Sequence, residues 1–112
     1  MHRVVGMVLV ALLLVVGACS SGKSGGPVAI DLTIAQGKIT PGTASYDVAK
    51  GSTVTITITS DAADTVHVHG YEIEKPIAAG ATTVITFVAD KTGRYEVETH
   101  VIQATIATLN VR

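Results

Sequence analysis

The residues of this chain with the most chemistry to offer are three histidines, His67, His69 and His100, and a carboxylate, Glu98. Two of the histidines lie in Val66-His67-Val68-His69-Gly70-Tyr71. Residues two apart in a strand share a face, so both imidazoles point one way while Val66 and Val68 point the other. Imidazole nitrogen suits Cu(II) and Zn(II), and carboxylate oxygen completes such donor sets. Brought together, His67, His69, His100 and Glu98 would form a nitrogen and oxygen site for a divalent ion. The alternative is a structural role, as half-exposed strand residues or as hydrogen-bonding caps at the end of the fold. Glu72 and Glu74, also two apart, read as solvated, and Glu96 and Glu98 read as the wet side of a sheet.

The single cysteine, Cys19, closes an apolar run from Val4 to Val16 that follows the short basic segment Met1–Arg3. That run suits a signal segment and falls short of the roughly 20 residues that cross a bilayer. Val16-Gly17-Ala18-Cys19 resembles the lipobox of bacterial lipoproteins. The resemblance implies cleavage before Cys19, acylation of that cysteine with palmitate-type chains, and attachment to the bacterial cell membrane on its extracytoplasmic side. An ordinary cleaved signal peptide or an uncleaved anchor is the alternative. The expected organisation is a helical signal segment at 1–18, a lipid-bearing Cys19 with a Gly/Ser tether at 19–27, and one domain at 28–112. That domain holds no cysteine for a disulfide or a thiolate metal site, although it is read as exported.

Composition narrows the partners. Without Arg3, seven basic residues face nine acidic ones, with no basic patch, which argues against nucleic acid. Aromatic residues are Phe87, Tyr46, Tyr71 and Tyr95, with no tryptophan, too few for a stacking platform. No serine lies in a nucleophile turn, and no Asp–His–Ser arrangement has a natural geometry, so an enzyme is not expected.

The elements that must position the histidines are short strands. Thr53 to Ser60 (TVTITITS) alternates without fault, placing Val54, Ile56 and Ile58 inward and threonines outward. Further strands are expected at 28–36, 45–48, 65–73, 82–89, 94–101 and 105–111, with turns at Pro41-Gly42, Lys50-Gly51, 61–64, Ala79-Gly80 and 90–93. Seven to eight short strands with no helical period predict an all-β, antiparallel Greek-key sandwich or barrel.

Three segments resemble the cupredoxin family, the blue copper fold. Tyr46 to Val54 (YDVAKGSTV) matches the entry into the long strand. Asp64 to Tyr71 (DTVHVHGY) matches the segment whose His-Gly-aromatic supplies the first copper ligand, which falls on His69. Gly93 to His100 (GRYEVETH) matches the strand that carries the ligand cysteine, which falls on Thr99. The resemblance implies a cupredoxin-like domain that has lost its type 1 copper ligand at Thr99. The second ligand histidine would fall at 101–103, where none stands, and both methionines, Met1 and Met7, lie in the signal segment. Blue copper depends on a copper–thiolate bond, so electron transfer through a type 1 site is not expected.

The resemblance places the end of the His69 strand beside Thr99 and His100 at one end of the barrel. It also points Thr99 inward, so that His100 reaches the other histidines only where its strand ends or bulges. The function expected is a membrane-anchored lipoprotein that binds Cu(II) or Zn(II) through His67, His69, His100 and Glu98. The alternative is a metal-free structural or interaction module that holds another protein of the envelope.

Overall fold

In a computed structural model of the chain, the described residues are 26–112. Cys19, the signal segment and most of the tether lie outside them. The described residues form nine strands: β1 (Val28–Ala35), β2 (Lys38–Thr40), β3 (Ala44–Val48), β4 (Thr53–Ser60), β5 (Asp64–Val68), β6 (Ile73–Ile77), β7 (Ala81–Val88), β8 (Gly93–Thr99) and β9 (Ala104–Val111). They make a four-stranded sheet in the order β2-β1-β4-β7 and a five-stranded sheet in the order β3-β9-β8-β5-β6. Among the described residues no helix is long and apolar enough to cross a membrane.

The period-two pattern becomes the core. Ile30, Leu32 and Ile34 of β1 and Val54, Ile56 and Ile58 of β4 are buried, and β1 lies parallel to β4 with Ile30 opposite Ile56. The five-stranded sheet answers with Val66, Val68, Val97, Ile106, Leu109 and Val111. Each fully buried aliphatic side chain of this size contributes about 1.5–3 kcal/mol. With no disulfide among the described residues, this burial carries the fold. The buried apolar residues all fall between Ile30 and Val111, so the two sheets close their core within residues 28–111.

The strand count exceeds the seven to eight expected, for two local reasons. Gln36 and Gly37 both take positive φ and fold Lys38–Thr40 back onto β1, making a three-residue strand from what reads as loop. The run 65–73, apparently continuous, breaks at Gly70, where φ is +79°. A Cβ on Gly70 would collide with the Tyr95 ring, so only glycine fits this turn. The chain reverses there, and Ile73–Ile77 returns beside β5 as an edge strand, where Pro76 is tolerated. Two of the pairings, β1 with β4 and β3 with β9, are parallel within the otherwise antiparallel sandwich.

Candidate metal centre

Parity puts the histidines on the outer face of the five-stranded sheet. Val66 and Val68 are fully buried, so His67 and His69 project away from the core. The register sets their neighbours: His67 stands opposite Glu74 of β6 on one side and Glu98 of β8 on the other. The His67 and His69 ring centroids are 4.3 Å apart, and those of His67 and His100 are 5.8 Å apart. Donor atoms of His67, Glu74 and His100 all lie within 4.8 Å of one another. The three histidines and two glutamates thus form one oblique strip across β6, β5 and β8.

The barrel-end placement of His69 is corrected by this register. Thr99 pairs with Val66, and the backbone N–H of His69 donates to the carbonyl of Glu96, so the end of β5 lies away from His100. The reason is the antiparallel run of β5 and β8: advancing along β5 retreats along β8. His67, rather than His69, is the histidine beside His100.

His100 reaches the strip because β8 stops. A register shift between Val97 and Glu98 loosens the β8–β9 ladder, and the strand ends at Thr99. Thr99 is buried, and its hydroxyl lies 3.4 Å from both the carbonyl and the N–H of Ala104. The His100 imidazole turns outward, its Nε2 3.9 Å from Oε1 of Glu74. Asp64, at the start of β5, fixes the backbone here. Its Oδ1 accepts N–H bonds from Thr65 (2.6 Å), His100 (3.0 Å) and Val101 (2.8 Å), and its Oδ2 one from Ile102 (3.4 Å). Burial pushes the Asp64 carboxyl up, but the N–H donors of Val101, Thr65, Ile102 and His100 outweigh it and hold the carboxyl below its ordinary value.

At the other end of the strip, Nε2 of His69 lies 3.0 Å from Oε2 of Glu98. That nitrogen is screened from water. The neighbouring His69 imidazole holds the Glu98 carboxyl below its ordinary value. An open hollow of about 460 Å³ adjoins the strip, lined by Glu98, Thr99, His100, Gln103 and Thr105.

Two ion chemistries can be tested against these residues. A type 1 copper centre does not fit: its thiolate position is the hydroxyl of Thr99, turned into the core and engaged with Ala104. A Cu(II) or Zn(II) ion held by imidazole and carboxylate does fit, on the three convergent donors of His67, Glu74 and His100. Glu74 is the member of this group that sequence reasoning missed. A signal for it exists, since His67 and Glu74 are equidistant from the Gly70-Tyr71 turn. No comparable signal marks Asp64, which reads only as turn.

Comparisons with known proteins agree with the fold. A search of the curated proteins finds no match. The metal-binding domain of the Streptococcus pneumoniae D39 Cu(I)-exporting P-type ATPase CopA, solved with Cu(I), superposes with a TM-score of 0.60 at 16% identity, covering 81% of this chain and 99% of that one. A copper-binding protein solved in its apo form by NMR gives 0.59 at 12% identity, covering 81% and 93%. Fet3p, a multicopper oxidase that functions in iron import, gives 0.61 at 19% identity over 79% of this chain; the chain spans only 23% of the oxidase's length. The model of the cupredoxin-like domain matches residues 6–108, nearly the whole sequence, and the chain belongs to that family.

Proposed function

We propose that this protein is a lipid-anchored, extracytoplasmic cupredoxin-like module that binds a divalent ion, Cu(II) before Zn(II), on the strip of His67, His69, His100 and Glu98, joined by Glu74, with His67, His100 and Glu74 as the convergent donors. The observation that carries the reading is the convergence of His67, Glu74 and His100 donor atoms within 4.8 Å on one exposed face. Copper ranks above zinc because nitrogen and oxygen sites bind Cu(II) more tightly in general. Copper-binding domains among the structural relatives point the same way. The ion would sit at the surface, suited to storage, delivery or sensing. The module is read as a binder and not as an enzyme, because its sequence assembles no nucleophile, base and oxyanion group.

The deciding experiment is calorimetric titration of Cu(II) and Zn(II) into the metal-stripped domain from Ser20 to Arg112. One equivalent bound at micromolar affinity or tighter is expected, and no binding would refute the reading. The anchor has its own test: with residues 1–18 as the leader and 19–27 as the tether, labelled palmitate should enter the protein, and Cys19→Ser should abolish the labelling. A wild-type protein that takes up no label would refute lipid attachment.

A second reading, a metal-free module for an envelope protein, draws on the other sheet. Val84 and Val88 are 42% and 51% exposed on the edge strand β7. Absence of metal binding together with loss of partner association on V84S/V88S would favour it.

A further inference from the structure

We propose that Asp64 is a positioning residue for the metal centre: it ties the backbone of residues 100–102 to β5 so that His100 faces His67 and Glu74. The inference deepens the metal-binding reading and rests on it for its purpose, but its geometry stands apart from whether an ion binds.

Beyond Thr99, the chain has left its ladder, and His100 keeps one backbone partner there, the carbonyl of Thr65. Packing does little to hold the loop. Val101 is 72% exposed, and Ile102 is only partly buried against the core. The side chain that reaches into the loop is one carboxylate, accepting N–H bonds from three successive loop residues that follow it by 36, 37 and 38 positions. Bonds to an ionised acceptor are about twice as strong as neutral ones. Asp64 lies three residues before His67 on the same strand, so a single side chain fixes the loop histidine relative to the strand histidine. Donors held in place before the ion arrives bind without first having to be ordered.

The test compares wild type with Asp64→Asn in the chain from Ser20 to Arg112, with Asp64→Ser as a second variant should the first fail to fold. In the metal-free protein, NMR should show the through-space contact between the His67 and His100 rings in wild type and its loss in D64N. The Val101 and Ile102 amides should exchange at least about tenfold faster in the variant. With Cu(II) as the probe, D64N should raise Kd by about tenfold. In an H100A background, the same change should cost less than about twofold, because the histidine that Asp64 places is then gone. Ile58→Val, a core truncation in the other sheet, controls for general loosening and should leave Cu(II) affinity unchanged. Retention of the ring contact in D64N, or an equal loss of affinity with and without His100, would overturn the proposal. A wild type that binds no Cu(II), but whose ring contact depends on Asp64, would refute the metal-binding reading and uphold the positioning role.

Discussion

The two outer faces of this sandwich obey the same alternation and carry opposite chemistry. On the four-stranded sheet, Thr55 and Thr59 of β4 face Thr86 and Thr82 of β7, with hydroxyl oxygens 3.4 Å apart in each pair. On the five-stranded sheet, the corresponding outward positions hold His67, His69, Glu74 and Glu98. Beneath both lie the same kinds of buried valine and isoleucine. The inward positions decide that the chain folds, and the outward ones are left for function. A threonine face is a solvated β-surface, favoured by strand propensity and asking for no ligand. A face of imidazoles and carboxylates gains less from strand propensity, and the proposed donor role would account for it.

The largest expected effect breaks that contrast at its centre. The double variant H67A/H69A should lose Cu(II) affinity by about a hundredfold or more, since outer-shell changes alone cost about 10–100-fold. Its unfolding midpoint should stay near that of wild type, because both side chains point away from the core. If the double variant still binds one equivalent by calorimetry, the strip is no different in kind from the threonine face.

Next in size is the turn that aligns the strip. Gly70→Ala would force a Cβ into the Tyr95 ring at a positive φ. Overpacking together with the left-handed backbone penalty should cost about 2–4 kcal/mol, read by urea denaturation. A loss well below that would mean the β5–β6 hairpin relaxes easily and does not fix the register of His67 and Glu74.

That hairpin also shows what the sequence made legible. Strand β4 can be read residue by residue, because one buried face imposes strict alternation on TVTITITS. The segment 65–73 alternates nearly as well, yet it contains a reversal. The steric demand at Gly70 comes from Tyr95, 25 residues on, and no local pattern reports it. The candidate site divides in the same way. His67 and His69 were visible because their spacing alone places them on one face. Glu74 depends on cross-strand register and Asp64 on a loop distant in sequence, so neither follows from local periodicity. Likewise, the strand order of the resemblance could not say which histidine lies beside His100; the direction of β5 against β8 decides that.

Acid should reach the site face through Asp64 and Glu98, both held below the ordinary carboxylate value in the folded state. The unfolded chain then binds more protons in the acid range. The stability these groups contribute is therefore full above the unfolded carboxylate pKa, about 4, and is lost as pH falls through their lower folded values. D64N should flatten this dependence more than E98Q, because Glu98 is solvent-screened and Asp64 sits among fixed N–H donors. Urea titrations from about pH 6 to about pH 3 give the comparison. Equal slopes in wild type and D64N would mean that the Asp64 carboxylate does not secure the loop.

The smallest expected effect sharpens the comparison by moving chemistry from one face to the other. Thr57 and Thr59 share the outer face of β4, as His67 and His69 share that of β5, and Asp31 stands opposite Thr57 on β1. The variant T57H/T59H would therefore present two strand histidines beside a carboxylate, with no histidine supplied by a loop. Surface changes of this kind should alter stability by less than about 0.5 kcal/mol. Cu(II) should bind there at least about tenfold more weakly than at the native strip, since a two-imidazole set must recruit its remaining donors from water. The measurement needs the H67A/H69A background, so that the native strip does not mask the transplanted pair. Equal affinity on the threonine face would mean that His-x-His beside any carboxylate suffices, and that the end of β8, the turn at Gly70 and the carboxylate of Asp64 are features of the fold alone. Weaker binding would show that the native face differs through the elements that bring His100 and Glu74 to the strand histidines, beyond the residue types it displays.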